Sequence, residues 1–379
     1  MKSIHKQTGV ALITAMIITS IAISLAGIMM YRQQIHIRLS SNISHLEQAY
    51  LYAKGMEDWA ATILQKSYKD HKGYDSLDDD WAVLLPPIAI PGGVMNGQLY
   101  DLQARINLNS LARPKPPRQP PGQGQNQGQG HGQNQGHGQN QGQGQNQSQG
   151  QNQGQGQNQQ PPDIAKITEN RLNRLLKDQI DPDEDMGPAQ NFIDILKDWL
   201  DKDQNTRDYG AENDYYQSQQ TPYFSADGLL ASPTELRLLK GMEDIKDMKK
   251  KKKVYDELLK YVYTLPIKTK TPVNINTASA EVIKALGFDP ASTEAIRKQI
   301  KERPFRKIQE FSDYLNNNAE VSKPDDFDEN QEIKDISTNS NFFLLQGSVK
   351  INNARLFINS VLERKKGKVS VIMRDFRNP

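Results

Sequence analysis

The chain begins with a long apolar segment. Two lysines, Lys2 and Lys6, precede it, and from Val10 to Met30 no residue is charged and none is proline. A helix rises about 1.5 Å per residue, so about 20 such residues span a bilayer core that is about 30 Å thick. A secretory signal peptide has a shorter apolar region, of about 7 to 15 residues. The pattern therefore predicts a transmembrane helix over residues 10–31.

The same helix is predicted to continue into water, because no helix-stopping signal follows until at least Gly55. Beyond Tyr31 the apolar residues recur every three or four positions, which places them on one face of a helix. These positions are Ile35, Leu39, Leu46, Ala49, Ala53, Met56, Ala60 and Ile63. Residues 10–64 thus predict one helix that is apolar all round in its first half and one-sided in its second.

Strand patterns lie at both ends of the remaining chain. Residues from Tyr100 to Ile106 alternate between apolar and polar, and the preceding Asn96-Gly97 pair is typical of a hairpin turn. Near the C-terminus three strand-like segments are separated by Asn352-Asn353 and by residues 366–368, which favours antiparallel hairpins. The two strand regions that we expect to form one small antiparallel sheet with the long helix are residues 65–111 and 339–379.

The residues between these regions form an insertion with two parts. Residues 112–162 are mostly Pro, Gln, Gly and Asn, a composition that cannot bury a core, so we expect a disordered tether. His131 and His137 in this tract are interpreted as solvated rather than metal-binding. Residues 163–338 show helical spacing with Ser, Thr, Asp or Pro near the segment starts. The predicted fold class is α+β, with a large all-α domain inserted.

The composition of the chain excludes several kinds of functional site. The chain has 379 residues, no cysteine and a formal net charge of +2, so disulfides, thiolate metal sites and Cys nucleophiles are excluded and no global field favours nucleic acid. The cysteine count leaves the redox compartment open. His36, His45 and His71 lie near no nucleophile motif, and we therefore expect no enzymatic activity.

The richest polar segment is DWLDKDQNTRDYGAEND. Clustered hard oxygen donors repel one another unless they are solvated or bridged by a cation such as Ca²⁺. Thr206 stands where an EF-hand needs glycine and the sequence predicts no clear helix after Glu212, so a true EF-hand is rejected. A calcium loop and a solvated acidic turn both remain open. The candidate ligands are Asp198, Asp201, Asp203, Asn205, Glu212 and Asp214. The acidic run at 181–185 is interpreted as a turn and helix entry.

Two further segments raise the question of nucleic acid. Residues 272–315 resemble a helix-hairpin-helix module, but Asp289 places a negative charge where a phosphate would bind and Pro290 removes an amide. The module is therefore interpreted as a structural unit. The basic run from Lys246 to Val254 has no interleaved aromatics, and we interpret it as a solvated linker between helices.

The N-terminus carries a short leader that is similar to that of a known family. The short basic leader ends in Gly9, directly before the apolar helix, and resembles the class III leader of type IV pilins and pseudopilins. In those families a prepilin peptidase cuts after the glycine, which would make Val10 the new N-terminus and residues 1–9 the leader. Most pilins carry Glu at the fifth mature position, where this chain has Thr14. A buried carboxylate there helps to draw a subunit into the filament.

The missing glutamate is a feature of one branch, the minor pseudopilin K family of type II secretion systems. The segments YRQQIHIRLSSN, QAYLYAKGMEDWA, DWLDKDQNTRDYGAEND, LLASPTELRLLKG and TPVNINTASAEVIKALG resemble that family in the same order. The resemblance covers nearly all of the chain except the Gln/Gly tract. It implies the pseudopilin fold, and it favours calcium, because the family is similar to known calcium-binding pseudopilins.

The resemblance also implies a function. It implies a minor pseudopilin that caps the tip of a periplasmic pseudopilus and helps to initiate its assembly for export of folded proteins. Implied partners are the minor pseudopilins I, J and H, the inner-membrane assembly platform, the prepilin peptidase and the membrane, with no nucleic acid. The implied location is a bacterial inner membrane, crossed once, with the C-terminal bulk in the periplasm. The alternatives are a DNA-binding competence-type pseudopilin or receptor, and an anchored binding protein that never polymerises.

Overall fold

The computed structural model describes residues 8–71, 73–84, 86–112, 163–179, 189–242, 245–267, 271–324, 327 and 332–377. Most of the predicted leader, the predicted tether from residue 113 to 162 with both of its histidines, and the acidic run at 181–185 lie outside the described residues. Their predictions therefore stay predictions.

Helix α1 runs from Thr8 to His71, 64 residues without a break. It continues past the predicted end at 64 because residues 65–71 contain neither glycine nor proline, and Gly73 is the next helix-breaking residue. Every residue from Val10 to Ser44 is exposed, whereas the later part of the helix packs on the sheet. One helix within the described residues is long and apolar enough to cross a membrane, and it is α1.

Five antiparallel strands form the main sheet. Their bounds are Ile88–Ile90 (β1), Gly93–Asp101 (β2), Phe342–Ile351 (β7), Ala354–Lys365 (β8) and Lys368–Arg377 (β9). The strand order is β1-β2-β7-β8-β9. Both predicted C-terminal hairpins are confirmed, because Ile351 pairs with Ala354 and Lys365 with Lys368 around two-residue turns.

The predicted turn at Asn96-Gly97 is wrong. Both residues lie inside β2, where they pair with Ser348 and Gly347 of β7. The two facing glycines instead leave room for helix α1: a Cβ at Gly97 would lie 3.2 Å from Met56 Sδ, and one at Gly347 would lie 2.9 Å from Met56 Cε. A local turn signal was thus overridden by the packing of a distant helix.

The core between α1 and the sheet uses the predicted apolar stripe. Buried residues from the helix contact buried residues of the inner sheet face. The helix contributes Ala49, Ala53, Met56, Ala60 and Leu64, and the strands contribute Leu99, Phe343, Leu345, Val349, Ile351, Leu356, Ile358 and Leu362. Small alanines alternate with larger residues along the helix, so the helix lies close to the sheet.

The strand predicted to run to Ile106 ends earlier, at Asp101. A short 3₁₀ helix, Leu102–Ala104, follows, and then β3, Ile106–Asn107, pairs in parallel with β4, Val262–Tyr263. The segment from Ile106 to Leu111 packs in the core of the inserted domain. The boundary of that domain therefore lies closer to residue 102 than to the predicted 112, because Ile106, Leu108 and Leu111 belong to the core of the inserted domain and not to the core beneath α1.

The inserted domain is mainly helical. Its helices are Ile164–Gln179 (α2), Ala189–Leu200 (α3), Asn213–Gln217 (α4), Met248–Tyr261 (α5), Ala280–Ala285 (α6), Pro290–Glu302 (α7) and Ile308–Asn317 (α8). The segment at 233–238 is a 3₁₀ helix rather than an α-helix. Val273–Asn274 (β5) and Ile336–Ser337 (β6) form a short parallel pair, so the domain is not purely α.

The lysine run is not a linker. Asp247 accepts hydrogen bonds from the backbone amides of Lys249 and Lys250 and thereby caps α5, whose first turns the lysines form. Lysine has a good helix propensity, so a basic run continues a helix whose cap and apolar face are in place. The buried face of α5 is formed by Val254, Tyr255 and Leu258.

A buried polar junction joins the insertion to the sheet. Asp101, at the end of β2, accepts hydrogen bonds from Asn274 (3.2 Å), Thr277 (2.6 Å) and Ser340 (2.6 Å). Burial raises the pKa of Asp101 to about 6, although the hydrogen bonds from Ser340 and Thr277 oppose the rise. Arg364 of β8 pairs with Asp75 beside it. The segment that begins and the segment that ends the insertion are therefore held at one point.

Candidate functional site

The first candidate surface is the unpartnered half of α1. Its large apolar side chains are exposed through at least Ile43, including Ile17, Ile21, Leu25 and Leu39. An exposed apolar helix surface that no other described residue covers requires lipid or another protein around it. This half is therefore suited to a membrane and to packing against other helices.

Thr14 lies within this exposed half. Its hydroxyl donates to the backbone carbonyl oxygens of Val10 and Ala11, at 3.0 Å each. The side chain is thus satisfied inside its own helix, and it carries no charge that would need a partner. Gly9 and Val10, the predicted cleavage pair, lie in the first turn of α1.

The second half of α1 is fixed to the sheet by a buried carboxylate. Glu57 is 2% exposed and accepts from Arg374 of β9, with Nε–Oε1 at 2.6 Å and Nη2–Oε2 at 2.7 Å, and from Ser360 at 2.5 Å. Burial raises the pKa of Glu57, but the hydrogen bonds from Arg374, Ser360 and Lys54 outweigh it and bring the pKa from 4.5 down to about 2. The free half of the helix therefore projects from a rigid base.

The second candidate site is the acidic loop, which we define as residues 198–214, from the end of α3 to the start of α4. Helix α3 ends at Leu200 with Trp199 buried against Tyr216 of α4, their ring centroids 5.1 Å apart. The aromatic contact brings the two ends of the loop together. As a result the carboxylates after α3 face the residue that begins α4.

Three carboxylates converge in this loop. One oxygen from each of Asp201, Asp203 and Glu212 lies within 4.8 Å of the others, a spacing that suits ligands of one cation. Glu212 is 4% exposed, and neither of its carboxylate oxygens has a hydrogen-bond partner among the described residues. Asp201 Oδ1 is likewise buried without such a partner. Buried carboxylate oxygens without donors are costly unless a cation or a proton satisfies them.

The electrostatics of Glu212 agree with this geometry. Burial and, after it in decreasing order, the negative charges of Asp198, Asp201, Asp227 and Asp203 together raise its pKa from 4.5 to about 7. A carboxylate near other carboxylates is driven toward its neutral form unless positive charge is added. The donor set, which consists of hard anionic oxygens, fits Ca²⁺ rather than a softer metal.

Arg207 supplies positive charge beside Asp198 and Asp201. Its guanidinium contacts Asp198 through Nη1 and Asp201 Oδ2 through Nη2, the latter at 2.8 Å. Asp198 is fully buried and also accepts from the Arg207 backbone amide at 3.2 Å. Both Asp198 oxygens are therefore used within the protein.

The structure thus separates the predicted ligands. It brings together Asp201, Asp203 and Glu212, whereas Asp198 pairs with Arg207. Asn205 is exposed and donates to Asp203 Oδ1 at 2.8 Å, and Asp214 is exposed in the first turn of α4. Contrary to expectation a helix does follow Glu212, which is the N-cap residue of α4.

Sequence reasoning missed two members of the site. Asp227 lies outside the loop, adopts a positive φ of 45° and accepts from Ser225, and its charge acts on Glu212. Arg207 is one of two basic residues among nine acidic or amide side chains in the segment 198–214, and this contrast was the available signal for it. Asp227 gave no local signal.

In the helix-hairpin-helix-like unit the polar side chains Asp289 and Asn276 bind backbone groups of the unit itself, as expected for a structural role. Asp289 caps α7, accepting from the Ser292 amide at 2.7 Å, so its carboxylate lies at the helix N-terminus where a phosphate would bind. Asn276 accepts from the Phe305 amide at 2.9 Å and donates to its carbonyl oxygen at 2.8 Å. The VNINT segment is thus tied by these two hydrogen bonds to the turn between α7 and α8 within the unit.

Comparison with known proteins gives a consistent result. The family model described as type II secretion system (T2SS), protein K, matches residues 104–267. Type II secretion system protein K of Pseudomonas aeruginosa is 26% identical over 379 residues, covering 97% of this chain and 92% of the relative. The protein of that name from Dickeya chrysanthemi is 28% identical over 375 residues, covering 98% and 97%.

A solved structure shares the fold. The chain matches the crystal structure of the GspK-GspI-GspJ complex from the type 2 secretion system of enterotoxigenic Escherichia coli, with a TM-score of 0.62 and 21% identity. The match covers 90% of this chain and 99% of that chain. The predicted architecture of a long helix, a small antiparallel sheet and a helical insertion is therefore confirmed.

Proposed function

Because the chain belongs to the type II secretion system protein K family of minor pseudopilins, we propose that it caps the tip of a periplasmic pseudopilus and helps to initiate its assembly. The observation that carries this proposal is helix α1, whose first half is apolar and unpartnered while its second half is fixed to a sheet. Such a helix suits a subunit that is held in a membrane before assembly and packed against other helices afterwards.

Two features support a position at the tip. Thr14 has no carboxylate with which to pair the N-terminal amine of a subunit already in the filament, and its hydroxyl is satisfied by its own helix. Among the described residues the insertion adds seven helices and further hydrophobic cores separate from the one beneath α1. A domain of that size would clash with neighbours inside a helical filament, but it has free space at the end.

The proposed partners follow from the same surface. We place the protein in a bacterial inner membrane, crossed once by α1, with its C-terminal bulk in the periplasm. The minor pseudopilins I and J pack against the exposed first half of α1, since the later part of the helix is covered by the protein's own sheet, and H joins the filament below them. The prepilin peptidase cuts between Gly9 and Val10, and the assembly platform then extracts the helix. The assembly supports the export of folded proteins across the outer membrane.

N-terminal sequencing tests the first step. The membrane-extracted protein, produced with active prepilin peptidase, is expected to begin at Val10, and without the peptidase it is expected to keep residues 1–9. An intact leader in the presence of active peptidase contradicts a pseudopilin that is processed for assembly.

Cross-linking tests the partner surface. The chain has no cysteine, so a photo-activatable cross-linker can be attached to a single cysteine that is introduced by substitution. Leu39→Cys lies on the apolar stripe, and Arg38→Cys, in the same turn, lies off it. We expect cross-links to pseudopilins I and J from position 39 in preference to 38. Equal cross-linking from both positions contradicts packing through the apolar side of the exposed half of α1, and no cross-linking from either position contradicts the assembly role.

We further propose that the acidic loop binds Ca²⁺ through Asp201, Asp203 and Glu212. Support comes from the buried oxygens of Glu212, which have no hydrogen-bond partner in the described part of the chain, and from the raised pKa that burial and the acidic surroundings produce. When bound, the ion neutralises the converging carboxylates, so it stabilises the fold of the loop between α3 and α4. The ion has a structural role here.

Calorimetry on the full-length protein in detergent, stripped of metal, tests this site. We expect a dissociation constant for Ca²⁺ between about 10⁻⁷ and 10⁻³ M. Glu212→Gln is expected to weaken binding at least about tenfold, whereas the matched control Asp208→Asn, an exposed carboxylate of the same loop, keeps it. No heat of binding by the unmodified protein contradicts the calcium proposal.

A further inference from the structure

We propose that Arg207 is a positioning residue of the acidic loop: its guanidinium orients Asp201 so that one carboxylate oxygen faces a bound Ca²⁺. This inference rests on the calcium site proposed above and adds to it a residue that is itself no metal ligand. Arginine suits the task, because its planar fork binds two carboxylates at once and holds them in a fixed relation.

The contacts of Arg207 divide the Asp201 carboxylate into two roles. Nη2 binds Oδ2 at 2.8 Å, while Oδ1 stays buried without a hydrogen-bond partner among the described residues. Asp201 belongs to the group whose ligand oxygens converge with those of Asp203 and Glu212. An oxygen that is tied to arginine fixes the rotation of the carboxylate, so the other oxygen has a defined direction.

Arg207 is itself held by a buried anchor. Asp198 is fully buried, and it binds the guanidinium with one oxygen and the Arg207 backbone amide with the other. Asp198 therefore fixes both the backbone and the side chain of Arg207. Its role is to position the arginine, and this is the reason that a residue with ligand chemistry lies outside the converging group.

The backbone of the loop is shaped around this anchor. The Gly210 amide donates to the Arg207 carbonyl oxygen at 3.0 Å, which closes a tight turn, and Lys240 Nζ donates to the Gly210 carbonyl oxygen at 3.0 Å. A Cβ at Gly210 would overlap the Asp198 carboxylate, so glycine allows the backbone to approach it. The turn therefore delivers Arg207 to Asp198 and Asp201 together.

A different role for Arg207 makes the opposite prediction. If the guanidinium were only a positive charge near the site, it would repel Ca²⁺, and its removal would strengthen binding. If it positions Asp201, its removal leaves that ligand free to rotate and binding weakens. The sign of the change in affinity separates the two roles.

The experiment compares Arg207→Met with Lys202→Met by calorimetry, using CaCl₂ and the metal-stripped full-length protein in detergent. Each variant removes one positive charge from the same loop, and Lys202 is exposed. We expect Arg207→Met to weaken Ca²⁺ binding at least about tenfold, the usual range for outer-sphere partners of metal ligands, and Lys202→Met to leave it equal or slightly stronger.

A second variant covers the risk that Arg207→Met misfolds because Asp198 is left buried and unpaired. Asp198→Asn combined with Arg207→Met removes both charges, and it is expected to unfold at the same temperature as the unmodified protein without metal but to bind Ca²⁺ at least about tenfold more weakly. Unchanged or tighter binding by these variants overturns the role of Arg207 and leaves the calcium site standing. No Ca²⁺ binding by the unmodified protein overturns both.

Discussion

Glu57 on helix α1 and Arg374 on the last strand of the sheet form a bidentate ion pair between residues 317 positions apart in the chain. Ser360, 303 positions from Glu57, donates to the same carboxylate. The Glu57 carboxylate accepts Arg374 Nε at 2.6 Å and Nη2 at 2.7 Å. The pair ties the base of the helix to the C-terminal hairpin, so a force on the free half of α1 acts on the sheet. It is the polar counterpart of the alanine-rich contact beside it.

Loss of this pair is expected to loosen the helix. Arg374→Ala leaves the buried Glu57 without its main partner, and we expect the free energy of unfolding to fall by about 2–4 kcal/mol. This loss is smaller than the usual cost of breaking a fully buried pair, because the Arg374 side chain is 30% exposed. Thermal unfolding of the detergent-solubilised chain measures the change. Lys365→Ala, an exposed residue of the neighbouring strand, is the control and is expected to change stability little.

The same carboxylate gives a pH dependence with a defined sign. The pKa of Glu57 is about 2 in the folded protein and 4.5 in its ordinary state, so its stabilising effect is full above about pH 4.5 and is lost as the pH falls toward 2. We expect the difference in unfolding temperature between the unmodified protein and Glu57→Gln to be constant from about pH 5 to 7 and to shrink below about pH 4. A difference that is independent of pH down to 3 contradicts an ionised Glu57.

The glycine pair beneath Met56 gives a steric prediction. A Cβ at Gly347 would lie 2.9 Å from Met56 Cε and 3.1 Å from Ile358 Cγ2, which is too close for the core to accept without a shift. Gly347→Val is expected to lower the free energy of unfolding by about 1–3 kcal/mol, the range for overpacking. Combining it with Met56→Ala should recover part of that loss, and a double variant whose losses simply add would contradict direct contact between the two positions.

The junction between insertion and sheet depends on Arg364. This side chain is buried, pairs with Asp75 and donates to the carbonyl oxygens of Ser340 at 2.7 Å and Leu64 at 3.3 Å. Burial raises the pKa of Asp75 even with Arg364 present. Arg364→Met therefore leaves an unpaired buried acid, and we expect a loss of about 3–5 kcal/mol in the free energy of unfolding.

A rescue variant checks the origin of that loss. Asp75→Asn combined with Arg364→Met removes both buried charges, and its unfolding temperature is expected to lie above that of Arg364→Met alone. A double variant that is as unstable as or less stable than the single one would assign the loss to the carbonyl contacts of Arg364 instead of to the ion pair.

Several elements were predictable from local signals. The apolar run, the stripe from Ala49 to Ala60 and the two C-terminal hairpins each depend on residues that are near one another in the chain. Helical periodicity and two-residue turns are local properties, because the hydrogen bonds that they create connect nearby residues. The acidic segment was visible for the same reason: its carboxylates repel one another wherever the chain folds.

Other features depend on residues far apart in sequence. Asn96-Gly97 is a turn signal by composition, but pairing with Gly347 and contact with Met56 make it a strand. Asp101 has an ordinary sequence neighbourhood, yet Asn274 and Ser340 make it a buried junction. In the acidic loop the chain supplies six candidate ligands, and tertiary packing divides them. Trp199 and Tyr216 close the loop, Arg207 pairs with Asp198, and Glu212 is buried without a hydrogen-bond donor among the residues that the structure describes. Burial and pairing are properties of the folded chain alone.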